Sequence, residues 1–184
     1  MLRTEGGERA EGRTIRLLCV AMLCLQPAIR PGQSADLAAV TALLKGAGLP
    51  TDDLASASDL HLWVLDTEGD VVGAIGIERF GANALLRSLV IAPAFQRRGL
   101  GNRLVAQLEQ DVQGKGVEQL ILLTETAESF FRRNGYEVIE RRHVPEEVTQ
   151  SAEFRSLCPA SAVCLAKALN QPVSRRNSDV GASV

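Results

Sequence analysis

The sequence predicts one α/β domain. Apolar residues at helical spacing alternate with short apolar or alternating runs from residue 28 to residue 169, and glycine or proline punctuates nearly every boundary. Composition agrees: 46% hydrophobic against 23% charged residues is that of a globular chain, and 184 residues give room for one sizeable core.

Ala28, Ile29 and Arg30 read as a short strand closed by Pro31-Gly32. Ser34 then caps a helix whose apolar face is Leu37, Val40, Leu43 and Leu44, ended by Gly46 and Gly48. Residues 49–54 form a loop entering a second short helix. Residues 60–65 and 71–78 flank Asp66-Thr67-Glu68-Gly69-Asp70, the turn cluster of a hairpin. Residues 84–91 form an apolar strand, interrupted by Arg87 and Ser88 and stopped at Pro93. Leu100, Leu104, Leu108 and Val112 line one face of a helix over 100–113, ended by Gly114 and Gly116. A buried strand follows over 119–124. Ala127, Phe130, Phe131 and Asn134 recur at helical spacing before the Gly135 cap, residues 136–140 return as a strand, and 162–168 are the last strand.

The flanks differ from this core. Residues 1–27 read as an accessory or disordered extension, and 170–184 as a disordered polar tail. The apolar run 17–25 is too short to span a bilayer. It has the length of a signal-peptide core, but three glutamates precede it and no small-residue cleavage site follows. Met22 is an alternative start. Lys plus Arg number 20 against 22 Asp plus Glu, so no basic field invites nucleic acid, and 4% aromatics offers little for base stacking. Cys19, Cys24, Cys158 and Cys164 show no disulfide framework and read as reduced thiols in a cytoplasmic protein. Cys158 and Cys164 fall outside the usual zinc-ligand spacing, and His61 and His143 are remote, so no metal site is expected. No membrane partner is expected either, and a homodimer is open.

The chemistry concentrates in Leu89-Val90-Ile91-Ala92-Pro93-Ala94-Phe95-Gln96-Arg97-Arg98-Gly99-Leu100-Gly101-Asn102, a strand, a proline stop, a basic glycine loop and a helix start. Glycines let backbone amides approach a ligand, the helix presents its positive end, and Arg97 and Arg98 add charge, so a diphosphate suits this cradle. Gly-x-Gly alone also fits an ordinary helix start.

The full string resembles the Gln/Arg-x-x-Gly-x-Gly/Ala signature of the GCN5-related N-acetyltransferases, which binds the pyrophosphate of acetyl-CoA. A second stretch, from Leu122-Leu123-Thr124 to Phe130-Phe131-Arg132-Arg133-Asn134-Gly135-Tyr136, resembles the family's strand-helix segment ending in Phe-Tyr-x-x-x-Gly-Phe/Tyr. The run around Leu85-Leu86-Arg87-Ser88 and the ending Phe154-Arg155-Ser156-Leu157-Cys158-Pro159-Ala160-Ser161 look like the arsenic-resistance-associated members, similar to short N-acetylglutamate synthase-like enzymes. The resemblance covers residues 28–169. It implies a mixed, mostly antiparallel sheet splayed between two parallel strands, with helices on both faces, and acetyl-CoA as co-substrate without a metal.

Carried onto this chain, the resemblance puts the pantetheine arm on backbone groups of Leu89, Val90 and Ile91. The diphosphate falls on Gln96, Arg97, Arg98, Gly99, Leu100, Gly101 and Asn102, with Phe130, Phe131 and Asn134 beside the cofactor. The Val90 amide would polarise the thioester carbonyl. The implied acceptor is the amine of a small amino acid or an analogue, arsenic- or phosphorus-bearing ones included. A protein lysine or N-terminus, or a CoA-binding regulatory module without turnover, is the alternative. Glu78 is the candidate base, or else a solvated strand-end glutamate. Arg87, inside an apolar strand and expected on one face with Leu85 and Leu89, needs an anionic partner: an acceptor group or a protein carboxylate. Thr124 and Thr126 either bond the acceptor or cap the following helix. Phe131 departs from the family pattern, standing where a tyrosine often protonates the leaving thiolate. Tyr136 reads as packing, and Cys158 and Cys164 as buried small residues.

Overall fold

The computed structural model describes residues 26–54 and 59–169. The expectations for residues 1–25 and 170–184, including the apolar run 17–25, Met22, Cys19 and Cys24, lie outside the described residues. Seven strands form one sheet: β1 (Ala28–Pro31), β2 (Leu60–Thr67), β3 (Asp70–Phe80), β4 (Asn83–Ile91), β5 (Gln119–Thr124), β6 (Glu137–Val138) and β7 (Val163–Ala168). Their spatial order is β1-β2-β3-β4-β5-β7-β6. Every neighbouring pair is antiparallel except β4 and β5, which run parallel. The helices are α1 (Leu37–Gly46), α2 (Leu100–Gln113), α3 (Glu128–Arg133) and α4 (Glu146–Thr149).

Local chemistry explains the meander β1 to β4. Glu68 and Gly69 both take positive φ, 55° and 95°, between the paired Thr67 and Asp70, the two-residue turn whose twist suits a hairpin. Asp66 accepts the Gly69 amide at 2.9 Å and fixes that turn. Helix α1 ends where Gly48, at φ 69°, lets Leu49 N–H reach back to the Leu44 carbonyl at 2.9 Å.

Both faces of the sheet are covered. On one, Leu104, Leu108 and Val112 of α2 and Phe131 of α3 pack on Ile75, Ile77, Leu86 and Leu122. On the other, Val40 and Leu44 of α1 pack on Val64, Ala74 and Val90, while Val148 of α4 packs on Leu85 and Ile121. Arg87 lies on this second face, since it pairs with Gly76, two residues along β3 from Ala74.

Two details differ from the sequence reading, and the second short helix expected after residue 54 lies outside the described residues. Simple alternation groups Arg87 with Leu85 and Leu89, yet the register of β3 against β4 shifts between Ala74 and Gly76, and Ser88 takes φ 57°. This bulge resets the alternation, so Val90 joins the face of Arg87 while Leu89 packs with the α2 side. The strand expected over 136–140 is cut to two residues because Tyr136 turns into the core, 2% exposed. After Leu49, residues 52–54 form a turn and 55–58 lie outside the described residues.

Arg30 fastens β1 to the start of α1 and to the hairpin, donating to Asp36 at 2.7 and 2.9 Å and to Asp66 at 2.8 and 3.0 Å. Asp36 also accepts the Gln33 amide at 2.7 Å. The Arg30 hydrogen bond, then that amide, holds the Asp36 carboxyl down at about 2. Because the folded value lies below the unfolded one, the stabilisation is present above pH ~4 and is lost as pH falls toward about 2. We expect Asp36→Ala to cost about 1–3 kcal/mol at neutral pH, and denaturant titrations to show that difference shrinking below pH ~4.

Candidate active site

The parallel pairing of β4 with β5 runs only from Asn83↔Gln119 to Leu85↔Ile121, and beyond it the strands separate. The register shows which amides the gap exposes. Ala92 N–H donates to Val72 O at 2.8 Å, and Ala74 pairs with Val90 two residues earlier. Alternation of an antiparallel ladder therefore commits the Val90 amide to Ala74 and turns those of Leu89 and Ile91 toward β5. The amide expected from Val90 is thus directed into the sheet, and Leu89 presents one to the cleft in its place. Without the bulge at Ser88 the two strands would keep one phase and the cleft would meet the opposite set of amides.

A cavity of about 260 Å³ fills the gap, walled by Arg87, Ser88 and Leu89 of β4 and by Leu122, Leu123 and Thr124 of β5. A second cavity, about 410 Å³, lies beyond the end of β4 against Gln96, Arg97, Gly99, Leu100, Gly101 and Asn102. Here Arg97 and Gly99 take φ 61° and 75°. The first intrahelical bond of α2 is Arg103 N–H to Gly99 O at 3.1 Å, so the amides of Leu100, Gly101 and Asn102 have no partner within the helix. They lie beside this cavity at the positive end of a 14-residue helix, an arrangement suited to an anion. Phe130 sets the floor: a Cβ at Gly101 would sit 3.3 Å from its ring, so a side chain there pushes α3 from α2. Asn134 donates to Asn102 Oδ1 at 3.1 Å and ties the two helices together. Gln96 donates to Ile91 O at 3.0 Å and Arg98 to Ala94 O at 2.8 Å, both bracing the loop from outside.

Arg87 is the most committed side chain of the cleft. Its guanidinium is fully buried, takes a bidentate grip on Asp53 through Nη1 and through Nη2 at 2.6 Å, and lies 3.2 Å from Glu153 and 3.6 Å from Glu78. The anionic partners that an arginine in an apolar strand requires are thus protein carboxylates, and no acceptor anion is needed to balance it. Burial resists ionisation of Asp53, but the Arg87 hydrogen bond and charge outweigh it and hold that carboxyl below its usual range. Glu153 goes the other way: burial pushes its carboxyl up against the pull of Arg87 and of the Cys158 thiol.

The remaining candidates divide. Thr124 Oγ1 accepts the Ala127 amide at 3.0 Å, the capping role, while Thr124 and Thr126 both face the cavity. Phe131 walls the same cavity, edge-on to Phe130 and Tyr136. Tyr136 is buried beside Glu109, and its phenol is pushed up by that burial, which keeps it protonated. Glu78 stands behind Arg87, outside the residues that wall the cavity. Cys164 is buried, whereas Cys158 is half-buried on the cavity wall, its thiol pushed up to about 12 by burial and by Glu153. Asp53 and Glu153 were not singled out by sequence reasoning. Glu153 stands in a single π turn, Glu153–Leu157, and only the apolar Val148 and Phe154 around it hint that the segment is buried. Among the described residues no group of three His, Cys, Asp or Glu can hold a metal, and no helix is long and apolar enough to cross a membrane.

Arg87→Ala strands three carboxylates in a buried site, so we expect a loss of about 3–5 kcal/mol in denaturant unfolding. Unchanged stability with selective loss of an anionic ligand would restore the ligand role.

Residues 58–138 match the family model of the acetyltransferase (GNAT) domain. An uncharacterized N-acetyltransferase of Chlorobaculum tepidum is 30% identical over 103 residues, 55% of this chain and 64% of that protein. N-acetylglutamate synthase of Neisseria gonorrhoeae, solved with coenzyme A and N-acetyl-glutamate, superposes with a TM-score of 0.66 at 21% identity, covering 78% of this chain and 35% of that one. Rv2747 of Mycobacterium tuberculosis, solved with CoA, gives 0.66 at 23% identity over 77% of this chain and 99% of that one. The chain therefore spans about two-thirds of the first relative and about a third of the synthase. The matched segment carries the hairpin, the splayed strands and the glycine loop, and the described sheet has the fold of the GNAT acetyltransferases.

Proposed function

We propose that this protein transfers an acetyl group from acetyl-CoA to the amine of a small acceptor, an amino acid or an amino-acid analogue. The observation that carries this reading is the splay of β4 from β5, with the backbone amide of Leu89 facing one cavity and those of Ile91 and the helix start facing the next. Such a channel suits a long thioester with a diphosphate at one end. Coenzyme A in the neighbouring synthase and in Rv2747 supports the cofactor, and N-acetyl-glutamate in the synthase supports an amino-acid-like acceptor. Arsenic- or phosphorus-bearing analogues fall within the same size class.

Each part of the site has a task in this reaction. The amides of Leu100, Gly101 and Asn102, with Arg97 above them, hold the diphosphate. The Ile91 amide pairs with the pantetheine arm as a strand edge pairs with a peptide. The Leu89 amide faces the thioester oxygen, where negative charge develops as the amine attacks. The Phe131 ring excludes water and has no proton to give, so the sulfur leaves as thiolate, acceptable for a group of thiol acidity.

Gly99 has open space where a Cβ would go but a φ of 75°, so a β-branched residue must re-form the loop. Gly99→Val is expected to weaken acetyl-CoA binding at least tenfold in calorimetry, with unfolding stability lowered by only about 1–2 kcal/mol. Equal affinity in the folded variant would move the diphosphate elsewhere. The activity itself is read as thiol release from acetyl-CoA across a panel of amino acids and simple primary amines.

A further inference from the structure

We infer that Glu153 accepts the proton which the acceptor's ammonium group sheds before its nitrogen attacks, with Arg87 and Cys158 holding its carboxylate at the cavity wall. This rests on the acetyl-transfer reading above and adds the group that makes the amine nucleophilic.

Among the described residues that wall the cavity between β4 and β5, three side chains are ionisable: Arg87, Cys158 and Glu153. Arg87 carries a permanent charge and has no lone pair to offer. Cys158 keeps its proton, since its thiol is pushed up to about 12, and it donates to Glu153 Oε2 at 3.6 Å. Thr124 already accepts the Ala127 amide. Glu153 is left. Its side chain is about nine-tenths buried, and it walls the same cavity of about 260 Å³ as Leu89, so one small molecule can touch both.

The surroundings tune this carboxylate. Arg87 from β4 lies on its Oε1 side at 3.2 Å and the Cys158 thiol on its Oε2 side, while Asp53 and Glu78 add negative charge across the guanidinium. One arginine thus faces three carboxylates, an environment that welcomes an incoming ammonium. Arg141 lies farther out, near Cys158, where it acts on the thiol. Burial raises the Glu153 carboxyl above its ordinary value, against the pull of Arg87.

The step balances without another reagent. The ammonium gives one proton to Glu153, and the freed nitrogen pair forms the C–N bond to the acetyl carbon while the carbonyl electrons move to the oxygen facing the Leu89 amide. The C=O bond re-forms, the C–S bond breaks, and its electron pair leaves on sulfur, which takes the second nitrogen-bound proton. Glu153 then returns its proton to solvent. The sum is ammonium plus thioester giving amide, thiol and a proton.

The test is the pH dependence of thiol release in the full-length chain. Wild type should show an acidic limb in kcat/KM. Glu153→Gln should lose that limb, drop about 10²–10⁴-fold in kcat near pH 7 and recover toward high pH, where the amine loses its proton unaided, with acetyl-CoA affinity within about twofold. Cys158→Ala, which removes a hydrogen bond to the charged form, should move the limb to higher pH. If Glu153→Gln fails to bind acetyl-CoA, Glu153→Asp decides: a retained limb with kcat reduced at least fivefold supports the role, and kcat within twofold of wild type overturns it. A Glu153→Gln enzyme with wild-type rate and limb overturns it, as does transfer of the limb's loss to Glu78→Gln. Absence of thiol release by wild type with every amine overturns the acetyltransferase reading itself, and Glu153's role with it.

Discussion

A fully buried guanidinium obliges the protein to bring it negative charge, and Arg87 at the middle of β4 draws that charge from three separate segments. Asp53 comes from the turn after α1, Glu78 from the far end of β3, and Glu153 from the π turn that follows α4. Two of these, the Asp53 turn and the Glu153 π turn, have little regular structure of their own and are held at the cleft by one cation. The cluster sits where β4 leaves β5, so the fastening that closes the second face also shapes the cavity.

A backbone device works beside it. Extended strands that pair along their full length have no unused amides, and a sheet interior offers nothing to a ligand. Ending the β4–β5 ladder at Leu85↔Ile121 frees a row of donors, and the bulge at Ser88 decides which residues supply them. Strain at a non-glycine residue of positive φ, of order 1–2 kcal/mol, is sustained by the packing of Leu86 and Leu89 on one face and Val90 on the other. The cavity at the start of α2 continues the same logic, since the first amides of any helix lack partners. Gly101 lets Phe130 close against those amides, and Asn134 locks the contact.

The charge layout differs between the two cavities. The cavity at the start of α2 is basic and rich in amides, whereas the one between β4 and β5 has Arg87 and Glu153 on its wall, with Asp53 and Glu78 on the guanidinium. A thioester lying between them would meet its polar needs in order, anion site first and amine site last. Glu153 and Cys158 lie beyond the segment that matches the GNAT family model, residues 58–138, so this wall of the cavity is built from a part of the chain outside that match.

Much of this was legible in the residues themselves. The hairpin, the helix over 100–113, the strand over 119–124 and the glycine loop follow from short-range rules: periodicity, turn chemistry and the missing partners of a helix start. Those rules act over a few residues and leave their mark in the order of letters. The expectation that Arg87 must meet an anion was equally local, because an apolar strand cannot shelter a bare cation. Which anion it meets was not. Asp53 lies 34 positions before it, and Glu153 lies in a short π turn without periodicity, so neither announces its destination. The phase of β4 was hidden for a similar reason. A bulge inserts one residue against a partner strand, alternation alone cannot register it, and only the pairing of Ala74 with Val90 and Gly76 with Arg87 moved the cleft-facing amide from Val90 to Leu89.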